Sequence, residues 1–149
     1  MRLYGEDAGV VCGSHDAEAL WQLGYPDQAW ARSQGAVRLA QQMAHPLSLA
    51  YALGMAAVFH QLRREWQTCQ ERAEATILLA QAQGFPSWIA VGSILRGWAL
   101  VQQGQAQEGM AQITHALMTY RATGAEIARP YYLRSSLRHV ALWDSQRQD

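Results

Sequence analysis

Slid against itself by forty positions, the sequence brings its turn residues and its small residues into coincidence, which limits the chain to a stack of similar units. Gly24, Arg64 and Gly104 coincide, as do Ala44, Gly84 and Gly124, each at the close of an apolar stretch. Pro46 and Pro86 coincide two residues further on, and Pro130 lies near the start of the last stretch. Glycine suits the residue just past a helix, and proline suits a first helical turn, where its missing N–H is not needed. The punctuation therefore marks helix ends at a fixed spacing.

The small residues keep the same register. Ala17, Ala57 and Gly97 precede the first turn of each unit; Ala29, Cys69 and Gly109, then Ala36, Thr76 and Ala116, follow it. Small side chains at matched places on consecutive helices let two backbones approach closely. Leu39, Met43, Phe59, Leu62, Ile113, Leu117 and Tyr120 fill between them at spacings of three and four, which is helical. Neither apolar–polar alternation nor an Asn-Gly or Asp-Gly turn suggests a strand. Helices are predicted near 15–23, 26–43, 46–63, 65–83, 86–103, 106–123 and 126–142. Residues 1–13 read as an irregular lead, with Ser14 or Asp16 as the first N-cap. Units of 14–45, 46–85 and 86–125, and a terminal helix over 126–143, make one domain of 1–149.

Composition excludes several function classes. The 149 residues include no lysine, which removes phosphate-loop, Schiff-base and kinase lysines together. Arginine and acidic residues balance at 12 each, so the basic excess of a nucleic-acid-binding face is not there. Cys12 and Cys69 are too few for a disulfide scaffold or a four-cysteine zinc site. Two uncharged runs, Leu39 to Leu62 and Ala75 to Leu95, are each broken by glutamines and a proline turn. Neither is a membrane span of about 20 apolar residues. No signal peptide is expected, because Glu6 and Asp7 come early, and the location expected is cytoplasmic.

The pattern Gly97-x-x-Leu100-x-x-x-Gly104-x-x-x-x-Gly109-x-x-x-x-x-x-Ala116 resembles the tetratricopeptide repeat, in a lengthened variety. Four strings resemble, more specifically, the C-terminal repeat region of large bacterial signalling proteins that carry cyclase or kinase-like domains and a STAND-type ATPase. They are Leu20 to Ala29, Gln83 to Pro86, Ile94 to Leu100 and Arg121 to Glu126. The likeness runs from about Leu3 to Leu133, and Arg134 to His139 depart from it. It implies an all-α fold, a tetratricopeptide-like right-handed superhelix of antiparallel helix pairs with about seven helices. It does not carry over any cyclase or ATPase activity.

No residues read as an active site. Ser14-His15-Asp16 are consecutive and point in different directions, whereas triads assemble from distant residues. The histidines fall at unrelated repeat positions, and Cys12 with His15 lacks the further ligands zinc requires. No enzyme activity, cofactor or metal is expected. Trp21, Trp30 and Trp66 flank turns and read as packing residues. Trp98 fits groove or core, since its forty-residue equivalents are Val58 and Arg138. In the resembling family the first helices of successive units line a concave groove. That places Tyr51, Val58, Gln61, Val91, Ile94, Trp98, Gln102 and Tyr131 in it, an apolar and aromatic surface edged with glutamine. The function expected is a non-catalytic protein-interaction scaffold holding a protein or peptide in that groove. The alternative is a small-molecule effector pocket controlling an attached ATPase or cyclase. A homodimer is expected through Tyr131, Tyr132, Leu133, Val140, Leu142 and Trp143, an apolar face with no following partner.

Overall fold

The computed structural model describes residues 2, 3 and 5–124 of the chain. The terminal helix expected over 126–143, Tyr131 and the apolar face assigned to dimerisation lie outside them. The described residues form an all-α fold of six helices: α1 (Ala8–Gln22), α2 (Pro26–Met43), α3 (Pro46–Leu62), α4 (Trp66–Gln83), α5 (Pro86–Gln102) and α6 (Ala106–Ala122). Turns of two or three residues join them, which sets neighbours antiparallel. Each even-numbered helix packs on the helix before it, and α2 and α4 also pack on the helix after. The odd-numbered helices touch one another in the order α1, α3, α5.

The forty-residue register is visible in the backbone. Gly24, Arg64 and Gly104 take φ of 87°, 60° and 89°, and Ala44, Gly84 and Gly124 take 50°, 73° and 70°. After α1, α3 and α5 the same pair of bonds closes the helix. Tyr25, Glu65 and Gln105 N–H groups donate to the Leu20, His60 and Leu100 carbonyls at 2.9–3.0 Å. Gly24, Arg64 and Gly104 donate to Trp21, Gln61 and Val101 at 3.0–3.1 Å. This pattern satisfies carbonyls left over at a helix end and requires a left-handed residue between them. Pro26, Pro46 and Pro86 open α2, α3 and α5.

Small residues sit where the backbones meet. A Cβ on Gly109 would lie 2.5 Å from the Gly97 carbonyl oxygen, and one on Gly97 2.7 Å from Ile113 Cγ1. Gly92 meets the Ala73 carbonyl of α4 at 3.0 Å in the same sense. Around these contacts one core joins Val58, Ala73, Val91, Ile94, Leu95, Trp98 and Ile113, and a second joins Val10, Val37, Ala40, Ala52, Leu53 and Ala56.

Three expectations need correction. The first helix starts at Ala8, not near 15, and its N-cap is Asp7, whose Oδ1 accepts from Gly9 and Val10 N–H at 2.9 and 3.3 Å. Ser14 is buried inside α1 and donates to the Val10 carbonyl, while Asp16 is exposed within the helix. Gly9 and Gly13 lie where α1 approaches Leu39 and Ala36 of α2. A two-residue antiparallel pairing, β1 (Arg2–Leu3) with β2 (Glu6–Asp7), precedes α1 through a turn at Gly5, where no strand was expected. Finally, Trp30, Leu39 and Met43 of α2 are exposed rather than packed. Ala29, Ala36 and Ala40 occupy the inner face of that helix and leave the larger side chains outside.

Candidate functional site

Three side chains from three successive odd helices meet on one face. His15 of α1, Tyr51 of α3 and Trp88 of α5 form a row, with His15 exposed and the other two half-buried. The Tyr51 hydroxyl lies 2.9 Å from His15 Nε2, and the two rings meet edge to face with centroids 6.4 Å apart. Tyr51 and Trp88 also meet edge to face, at 5.4 Å and 74°. His15 Nδ1 lies 4.0 Å from Glu18 Oε2.

The fold positions each member. At Gly54, one turn beyond Tyr51, a Cβ would lie 2.5 Å from Trp88 Cζ3, so glycine is what lets the indole rest against the α3 backbone. The start of α3 is tied to the N-terminal pairing. Asp7 N–H donates to Ser48 Oγ at 2.9 Å, and Ser48 Oγ lies 2.8 Å from Nδ1 of His45, the N-cap of α3. That tie brings Glu6 near Tyr51. Burial, then the fields of Glu6, Glu18 and Cys12, push the Tyr51 phenol up to about 12. A phenol so held is neutral, and its hydroxyl shares a hydrogen bond with His15 Nε2 whose direction follows the ring tautomer. Burial also raises the Glu6 carboxyl above its ordinary range. The row presents hydrogen-bonding and aromatic edges. Its one hydroxyl is hard to ionise.

A second cluster closes the turn between α3 and α4. The Arg63 guanidinium carbon lies 5.6 Å from the ring centroids of both Trp21 and Phe59, and its Nε pairs with Glu65 Oε1. His60 is buried beside them, with Nδ1 3.4 Å from Glu65 Oε2 and neither ring nitrogen in a hydrogen bond. A shallow depression of about 260 Å³ lies next to it, bounded by Arg64, Glu65, Trp66, Gln67 and Thr68. Among the described residues no group of three or more metal-ligating side chains occurs, and no helix is long and apolar enough to cross a membrane.

Of the residues placed in the groove by sequence, Tyr51 is on the row. Val58, Gln61, Val91, Ile94 and Trp98 are buried, and a partner cannot reach them without displacing their neighbours. Trp98, 5% exposed, belongs to the core around Ile94 and Ile113, because the glycine contacts draw α6 and α4 close against α5. Gln102 is exposed near the far end of α5. Sequence reasoning weighed His15 only as a triad member or zinc ligand, and put Trp88 on a groove-lining helix without including it in the groove set. A signal for both exists: His15 to Tyr51 spans 36 residues, and Tyr51 to Trp88 spans 37. Each span is the forty-residue repeat less one helical turn, so neighbouring odd helices meet a turn out of register. Set against models of protein families, characterised proteins and solved structures, the chain finds no match in any of the three.

Proposed function

We propose that this chain is a non-catalytic protein-interaction scaffold of tetratricopeptide-like repeats, whose odd-helix face takes a segment of a partner protein. The setting proposed is the one its strings resemble, the repeat region of a bacterial signalling ATPase or cyclase. The observation that carries the reading is the His15–Tyr51–Trp88 row. The half-buried Tyr51 and Trp88 and the exposed His15 converge from three helices on a surface backed by a close-packed interior. Aromatic anchors held by packing are the side chains that dominate binding energy at protein interfaces. A pre-organised row also avoids the cost of ordering side chains on association.

Peptide phage display against the 149-residue chain tests this. Enriched peptides should bind saturably, and Tyr51→Ala or Trp88→Ala should weaken them by about 2 kcal/mol, the size of an anchor residue's effect. Melts of both variants separate lost binding from lost folding. Peptides that bind both variants as well as the parent chain would move the site elsewhere. Failure to enrich any peptide, with saturable thermal stabilisation by a metabolite, would replace the scaffold by the effector-pocket reading.

A further inference from the structure

We infer that the His15–Tyr51–Trp88 face is built for an arginine of the docking segment, with the guanidinium set against the Tyr51 and Trp88 rings and Glu18 and Glu6 as counter-charges. This rests on the docking role proposed above and names its partner's chemistry. The chain already contains one such arrangement, filled by its own residue. At the α3–α4 turn, Trp21 and Phe59 meet edge to face at 6.2 Å and 87°, and Arg63 lies over both rings with Glu65 as its counter-ion. Tyr51 and Trp88 repeat that geometry at 5.4 Å and 74°, with Glu18 beside the row. Among the described residues, no guanidinium lies over either of those two rings.

Charge points the same way. From Gly5 to Trp30 the chain carries Glu6, Asp7, Asp16, Glu18 and Asp27 and no arginine. Asp7 is occupied as a helix cap, whereas Glu18 is only a quarter exposed and reaches His15 at 4.0 Å alone. The helix α3 has no Asp, Glu or Arg, and the arginine of α5, Arg96, is paired with Glu74 Oε1 at 3.3 Å. Glu18 thus faces His15 across 4.0 Å, and Glu6 lies near enough for its charge to act on the Tyr51 phenol. Burial first, and then the fields of Glu6 and Glu18, oppose the ionisation of Tyr51. A planar guanidinium stacks on aromatic faces and bonds carboxylates through its fork, which an ammonium does less well.

The test uses a fluorescein-labelled decapeptide of alternating arginine and glycine, and the same peptide with citrulline, which keeps the shape and removes the charge. Anisotropy titrations of the full chain should give saturable binding of the arginine peptide and binding about tenfold weaker for citrulline. Glu18→Gln and Trp88→Leu should each weaken the arginine peptide by about threefold to tenfold. Glu71→Gln, the same charge change on the exposed side of α4, should leave it unaltered. Melts check each fold, and Glu6→Gln serves as the second charge variant. Equal binding of both peptides, or equal loss from Glu71→Gln and Glu18→Gln, overturns the inference. A dimer of the chain alone that Glu18→Gln dissociates also overturns it, because a second copy then fills the face. Display peptides that need Tyr51 and Trp88 but lack arginine remove the charge assignment and leave the docking role. If neither display nor the arginine peptide gives binding, both fall.

Discussion

Arg64 and Ala44 hold left-handed φ at helix ends where their forty-residue equivalents are glycine. A side chain there crowds its own backbone at a cost of roughly 1–2 kcal/mol, which glycine avoids while losing some entropy on folding. Arg64→Gly and Ala44→Gly should therefore each stabilise the protein by up to about 1 kcal/mol, or about 2–4 °C in Tm. Thermal melts of the two variants check this, and a lower Tm for both would mean the turns are not strained. His60 is a residue-scale case of a different kind. Burial holds its imidazole below the ordinary histidine range, against the opposing pull of Glu65 and with Arg72 and Arg63 adding to the lowering. Its folded pKa lies below the unfolded value, so the unfolded chain takes up the proton first. Stability should fall as pH drops from about 6.5 towards the lowered folded value. Urea midpoints at pH 7.5 and 5.0 should show a smaller acid loss in His60→Leu than in the parent chain; equal losses would mean that His60 is not buried as the neutral form.

At the scale of the helix, most ends were readable from sequence because local chemistry sets them. Pro26, Pro46 and Pro86 open helices as the residue type demands, and Gly24, Gly84, Gly104 and Gly124 close four of them. The start of α1 was not readable. Gly9 and Gly13 are poor helix formers taken alone, and only the approach of α2 gives them a packing reason to be there. The cap is testable on its own. Asp7→Ala removes the acceptor for two N–H groups and should cost about 1 kcal/mol, whereas Asp16→Ala, mid-helix and exposed, should cost much less. Denaturant midpoints of the two variants decide between Asp7 and the 14–16 segment as the cap.

For the whole molecule, the distinction between surface and interior is the deciding one. Trp98→Ala should destabilise by about 3–5 kcal/mol, since it empties a large volume in the core around Ile94 and Ile113. Gly109→Ala should also destabilise, by about 1–3 kcal/mol, because its new methyl meets the Gly97 carbonyl, which cannot move aside without parting α5 from α6. If Trp98→Ala melts close to the parent chain, the residue is at the surface after all. The sequence alone determined the helical class, the forty-residue register, five of the six described helices to within a residue or so, and the left-handed turn positions. All of these follow from short-range rules: side-chain periodicity, the missing N–H of proline and the missing Cβ of glycine. What it could not determine was which of the apolar residues on the odd helices would be enclosed. Val58, Val91, Ile94 and Trp98 look on the sequence much like Tyr51 and Trp88 in apolar character. Their fates separate because Gly92, Gly97 and Gly109 let α4, α5 and α6 close on one another, and because Gly54 lets Trp88 settle beside Tyr51. That outcome depends on how near two backbones come, a distance set by tertiary contacts between helices that no single helix encodes.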